Sequence, residues 1–116
     1  MARLKTPSDE LSRPYERQWE RYHVQKSARL IAIEPGLSGL SFRTCRLIDI
    51  SRGGASVRID TAIGLPDHYY LNIDGIPDRI GCAEVYREAN RIGVKFIRIL
   101  DPDLLHRILQ VDRIGH

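Results

Sequence analysis

The chain of 116 residues has no apolar run approaching the 18 or more residues that a bilayer-spanning helix needs, so no membrane span is expected. Its opening, Met1-Ala2-Arg3-Leu4-Lys5, lacks the apolar segment of a secretory signal, and the expected location is the cytoplasm. Cysteine is scarce: Cys45 and Cys82 form no CxxC and no Cys/His cluster, and in a reducing compartment they are expected as two buried free thiols. His23, His68, His106 and His116 have no ligand-like spacing among themselves or with the cysteines, so no metal is expected. Glycine-rich phosphate cradles are missing as well, since neither GxxxxGKS/T nor a strand-bound GxGxxG occurs. With no nucleophile set beside a base and no paired carboxylates, neither catalysis nor a cofactor is expected.

What remains is a chain of ordinary globular composition, 42% hydrophobic and 28% charged, of a length that suits one core. Lys and Arg number 18 against 15 Asp and Glu, a formal charge of +3. The excess allows an anionic partner, while a long nucleic-acid track would show a denser basic stripe, so none is expected. Arginine dominates the basic side chains, and its planar fork suits phosphates and guanine edges.

Met1 to Glu20 is polar and interrupted by Pro7 and Pro14, which argues for a flexible N-terminal arm over residues 1–14 rather than a continuous helix. Glu16 to Tyr22 can form a helical turn that sets Arg17 and Arg21 on one face. Six short apolar-alternating runs follow: Lys26–Glu34, Arg43–Ile50, Gly54–Asp60, His68–Ile73, Ile80–Glu88 and Arg91–Ile99. Turn chemistry separates them, with Pro35-Gly36-Leu37-Ser38-Gly39 after the first and Asp74-Gly75 after the fourth. Strict alternation in the second run places Cys45, Leu47 and Asp49 on one face and Thr44, Arg46, Ile48 and Ile50 on the other. In the third run it turns Ala55, Val57 and Ile59 inward. Six strands without intervening helices mean a mainly β domain, a barrel or a sandwich. Asp101-Pro102 then supplies an N-cap and first-turn proline, and Leu104, Leu105, Ile108 and Leu109 make an apolar helical stripe over about 101–112, expected to cover one end of the sheet structure.

The chemistry concentrates in Asp49-Ile50-Ser51-Arg52-Gly53-Gly54, a turn offering a carboxylate, a hydroxyl and two residues without side chains. Its plain structural reading is a well-made hairpin turn in which the glycines supply positive φ. A second element lies 28 residues (49 minus 21) upstream: Arg17-Gln18-Trp19-Glu20-Arg21, two arginines spaced by four. Arg13 and Arg17 give an alternative frame, but Arg21 runs directly into the alternating Tyr22-His23-Val24 and is preferred.

Taken together, Arg-x-x-x-Arg, the interval, Asp-x-Ser-x-x-Gly and the later Gly93-Val94-Lys95-Phe96 resemble the PilZ domain family over roughly Arg17 to Ile99. The resemblance implies a six-stranded antiparallel β-barrel over about 24–99, within one domain of residues 15–116, and a receptor for the bacterial second messenger cyclic di-GMP. It implies that Arg17 and Arg21 grip phosphate and guanine, that Asp49 takes the guanine donor edge, that Ser51 adds a hydroxyl bond, and that Gly54 with Gly53 lets the backbone approach the ligand. Trp19 either stacks on a purine or packs the arm onto the barrel, and Arg52 either reaches a phosphate or is an exposed turn arginine. Lys26 and Arg29 are similarly open. Glu16 departs from the many family members that carry a further arginine at that place and often accommodate a second ligand molecule, so the resemblance implies one-to-one binding here. The functional expectation is a cyclic di-GMP receptor whose arginine arm becomes ordered on binding and signals to a protein partner. The alternative is an interaction adaptor of the same fold that binds no nucleotide.

Overall fold

A computed structural model describes residues 19–33 and 39–114. The segment 1–18, which holds the expected arm and Arg17, and residues 34–38, where a turn is expected, lie outside the described residues. Six strands appear in chain order: β1 (Tyr22–Ile33), β2 (Leu40–Ile50), β3 (Gly54–Ile59), β4 (His68–Ile73), β5 (Ile80–Arg87) and β6 (Arg91–Phe96). One helix follows, α1 (Pro102–Ile114). The strands close into a barrel in the order β1-β2-β3-β6-β5-β4, every pairing antiparallel.

Alternation fills the interior as the sequence suggests. Ala55, Val57 and Ile59 of β3 and Tyr69, Leu71 and Ile73 of β4 join Leu30, Leu47, Ile92 and Phe96 in one buried cluster. Leu105 and Ile108 of α1 belong to the same cluster, with Leu104 and Leu109 packed against it. The inside of a closed barrel is reached only through its mouths, so these residues enter by one end and the helix acts as a plug. Asp101 caps it, its carboxylate accepting from the Asp103 amide at 2.9 Å. Cys82 is buried and Cys45 half-buried, both free, and burial pushes each thiol up to about 12.

Three strands depart from strict alternation, each by one extra residue. Leu47 and Asp49 face Val57 and Ser56, so Ile48 is the extra residue on β2. His23 and Lys26 face Asp49 and Leu47, and Glu84 and Tyr86 face Val94 and Gly93, which puts further bulges on β1 and β5. A bulge shifts all that follows onto the opposite face. In β2 this corrects the face expected for Asp49 and Ile50: Ile50 points into the core and Asp49 points out of the barrel beside Ser56. The physical reason is plain, because a carboxylate left among Leu47, Val57 and Leu71 would be desolvated without a partner.

The other boundary differences are small. Of the helical turn expected over Glu16 to Tyr22, residues 16–18 lie outside the described residues and 19–21 are not helical, and β1 itself starts at Tyr22 because the bulge keeps Val24 in the core. The sixth strand stops at Phe96 rather than running to Ile99. Beyond it the chain bonds outward, the Ile97 amide donating to the Gly81 carbonyl at 2.9 Å and the Leu100 amide to the Arg52 carbonyl at 2.8 Å.

Candidate functional site

The three bulges assemble one row of residues on the outer face of the barrel. Across the ladder, His23 of β1 faces Asp49 of β2, Asp49 faces Ser56 of β3, Ser56 faces Gly93 of β6, and Gly93 faces Tyr86 of β5. The middle of the row is small, so a cavity of about 660 Å³ lies over it, walled by Asp49 with Arg21 on one side and by Tyr86 on the other. The strands that carry Asp49 and Tyr86 lie three spacings of about 4.8 Å apart, roughly 14 Å in all. The Tyr86 ring leans over Gly93, where an added Cβ would meet it at 2.1 Å, so the open part of the row lies over Ser56. The volume lies in the range of small-molecule sites. Alternation along β6 sets Arg91 and Lys95 on the same outer face as Gly93, two residues to either side, and both line the cavity.

Asp49 anchors the site. Only 6% of it is exposed. Arg21 Nη1 donates to its Oδ1, Ser56 Oγ donates to its Oδ2 at 2.9 Å, and Arg91 Nη2 lies 3.7 Å from that same Oδ2. Arg91 Nη2 also donates to Ser56 Oγ at 3.2 Å. A buried carboxylate is retained where charge and hydrogen bonds compensate it, and here two guanidinium groups and a hydroxyl do so. The arginine element and the Asp-Ser-Gly turn, 28 residues apart, thus meet at one wall.

The turn is welded together by Ser51, which is 1% exposed. Its Oγ accepts from the Gly53 and Gly54 amides at 3.1 and 3.2 Å, and its own amide donates to the Gly54 carbonyl at 2.8 Å. The Gly53 carbonyl in turn accepts from the Phe96 amide at 2.8 Å, which ties the turn to the end of β6. Neither glycine has the positive φ expected of a hairpin turn. Gly54 is required instead by close approach: a Cβ there would stand 2.4 Å from the Val94 carbonyl oxygen.

Of the expected site residues, Arg21, Asp49, Ser51 and Gly54 line the cavity. Arg52, Trp19 and Gly53 do not, and Arg17 lies outside the described residues. The Arg52 guanidinium stacks over the Trp19 ring at 4.6 Å and Nε donates to the Leu100 carbonyl at 2.7 Å, so this pair clamps the chain ahead of β1 and the turn to the segment leading into α1. Arg52→Ala is expected to lower stability by about 1–3 kcal/mol, through loss of the stacking and of one charge-assisted bond, while leaving the cavity lining in place. Thermal melting combined with ligand titration separates the two effects. Arg29 sits over Phe42 at 5.3 Å and bonds Asn72, away from the cavity. Sequence reasoning missed Ser56, Tyr86, Arg91 and Lys95. The alternation Arg91-Ile92-Gly93-Val94-Lys95 carried a signal for the last two, but only the strand register shows which strand faces the turn.

The cavity presents Arg21, Arg91 and Lys95 against Asp49 and Glu84, and Glu84 is paired with Arg87 Nε at 2.6 Å. The small closed barrel thus carries a basic, carboxylate-anchored cavity on its outer wall. The chain belongs to the PilZ domain family, a family of cyclic di-GMP receptors, whose family model matches residues 15–111. Among solved structures, the PilZ domain with c-di-GMP of YcgR from Escherichia coli superposes with a TM-score of 0.55 at 12% identity, over 84% of this chain and 88% of that one, a likeness of fold. The release factor glutamine methyltransferase of Escherichia coli (strain K12) is 30% identical over 71 residues, 61% of this chain and 25% of the enzyme. That of Salmonella typhimurium is 29% identical over 68 residues, 59% and 24% respectively. The chain therefore spans about a quarter of the length of the curated relatives it matches. Among the described residues no helix is long and apolar enough to cross a membrane.

Proposed function

We propose that this chain is itself a cyclic di-GMP receptor, binding the dinucleotide in the outer cavity over Ser56, between Asp49 with Arg21 and the Tyr86 ring that covers Gly93, and that it acts in the cytoplasm through a protein partner rather than by catalysis. The observation that carries the reading is the ion pair between Arg21 and Asp49, which brings two separate sequence elements to one wall of a cavity of suitable size. Guanidinium groups match the ligand twice, through phosphate oxygens and through guanine O6 and N7, and the guanine N1 and N2 donors complement a carboxylate. Arg17, four residues ahead of Arg21, is the further arginine proposed to close on the ligand.

Calorimetric titration with cyclic di-GMP, with GMP as control, is expected to show one-to-one binding to the dinucleotide and no comparable heat with the monomer. Hydrogen exchange on the same samples is expected to slow in residues 10–24, as the arginine segment is held against the ligand. Ordering about five residues costs roughly 1–2 kcal/mol each, which charge-assisted arginine bonds of about 1.5–3 kcal/mol each can offset. Absence of heat and of any spectral change on titration would sink this reading and favour the nucleotide-free adaptor.

A further inference from the structure

The acidic anchor of the site is engaged from two sides. Its Oδ1 faces Arg21, which reaches it from the segment ahead of β1, and its Oδ2 faces Ser56 and Arg91, which reach it from β3 and β6. The Arg91 side chain is 36% exposed and lines the cavity, and its bond to Ser56 and its approach to Asp49 both run through Nη2. A guanidinium carries five N–H donors in a rigid plane, so fixing it through one nitrogen aims the rest of the fork. Its place on β6 puts it on the same outer face as Gly93, at one end of the cavity.

From this we infer that Arg91 is a ligand-binding residue of the site, a second guanidinium preset by the barrel, and that Asp49 is the positioning residue holding Arg21 and Arg91 as a two-armed clamp on the phosphates of the ligand. The inference rests on the reading of the cavity as a cyclic di-GMP site and adds a residue that neither sequence motif contains. The two arms differ in kind. Arg21 comes from the chain leading into the barrel, whereas Arg91 is part of a strand paired on both sides, so its donors are in place before any ligand arrives. A preset donor forms its bond without an ordering cost, which is why a barrel-borne arginine contributes efficiently to affinity.

The test is titration of cyclic di-GMP into the wild type, Arg91→Ala, Arg91→Lys and Arg91→Gln at two salt concentrations, with melting temperatures recorded for each. Arg91→Ala is expected to weaken binding about tenfold or more, the worth of one charge-assisted bond, and to flatten the salt dependence. Arg91→Lys should recover part of the loss by restoring charge without the fork. Arg91→Gln, which keeps most of the stem and a neutral polar end, keeps the fold testable if the alanine variant melts early, and it should bind as weakly as alanine. In a cycle with Asp49→Asn, the double variant should lose less than the product of the single losses, because the anchor acts through the arginine. Arg91 variants that melt earlier but bind within twofold of the wild type, with unchanged salt dependence, would show a merely structural arginine and overturn the inference alone. A wild type that does not bind overturns the functional reading and the clamp together.

Discussion

Gly54→Ala is expected to cost the barrel about 3 kcal/mol or more and to lower its melting temperature by roughly 10–20 °C. The added methyl would lie 2.4 Å from the Val94 carbonyl oxygen and 3.3 Å from the Lys95 Cα, both backbone atoms of the strand that β3 pairs with. Neither can rotate away, so β3 and β6 must part at the point where the Asp49–Gly54 turn is tied to the barrel. The Phe96-to-Gly53 and Ser51-to-Gly54 backbone bonds, each 2.8 Å, lie within two residues of the clash and would stretch with it. Two other glycines serve as controls. At Gly81 a methyl would meet the flexible Ile97 side chain at 3.3 Å, so little change is expected. At Gly93 it would overlap the Tyr86 ring at 2.1 Å, but that ring is 38% exposed and can swing aside, so the loss there falls on the cavity wall rather than on the fold. Melting curves for the three variants check the order, and a Gly54→Ala barrel as stable as the wild type would refute the close-approach argument.

How much of this was legible in the sequence follows from which signals are local. The strands β3 and β4, the capped helix and the inward set Ala55, Val57 and Ile59 were readable because period-two alternation and capping chemistry act over a few residues. The pairing of Arg21 with Asp49 was foreshadowed only by a family resemblance, since nothing local says that positions 28 residues apart should meet. The bulges were illegible. Ile48, Val85 and the residue inserted between His23 and Lys26 look like ordinary members of alternating runs, and only pairing with a neighbouring strand makes one of them extra. Their consequence is large, because they turn Asp49 and Tyr86 outward and so create the site. The same blindness explains Gly54, whose need comes from the strand lying against it and not from its own φ.

Arg52 and Ser51 make the complementary point. Both are functional types in a functional turn, yet Ser51 uses its hydroxyl on the turn's own amides and Arg52 is committed to Trp19 and the Leu100 carbonyl. Residue type announces what a side chain could do, while the hydrogen bonds already made decide what is left over for a ligand. In Asp49 the surplus is small, in Arg91 it is large, and this difference divides the site into a part that holds and a part that grips.

Arg21→Ala and Asp49→Ala are each expected to weaken cyclic di-GMP binding at least tenfold while leaving the barrel folded. For Arg21 the argument is direct. Its loss removes one of the three groups that compensate the buried Asp49 carboxylate, so some stability is lost, but Ser56 and Arg91 still hold that carboxylate and the barrel is expected to stay folded. Its contribution to binding is one or two charge-assisted bonds of about 1.5–3 kcal/mol, which is tenfold to several hundredfold in affinity. Asp49 involves opposing effects. Removing its charge relieves repulsion of the ligand's phosphates by about 2 kcal/mol, taking separations near 7 Å and an effective dielectric constant of roughly 20. Against that gain, both guanidinium groups lose the carboxylate that aims them and any guanine donor loses its acceptor, each a charged bond of the larger size. The loss exceeds the gain, so affinity falls, and Asp49→Asn, which keeps the shape and an acceptor for Ser56, should fall less than Asp49→Ala. In either variant Ser56 still accepts from Arg91, but its hydroxyl proton keeps an acceptor only in Asp49→Asn, so the melting temperature should fall by a few degrees there and further in Asp49→Ala, where the buried donor loses its partner. Calorimetry beside thermal melting reads both quantities on one preparation, and wild-type affinity in Arg21→Ala and Asp49→Ala alike would remove the ligand from this wall of the barrel.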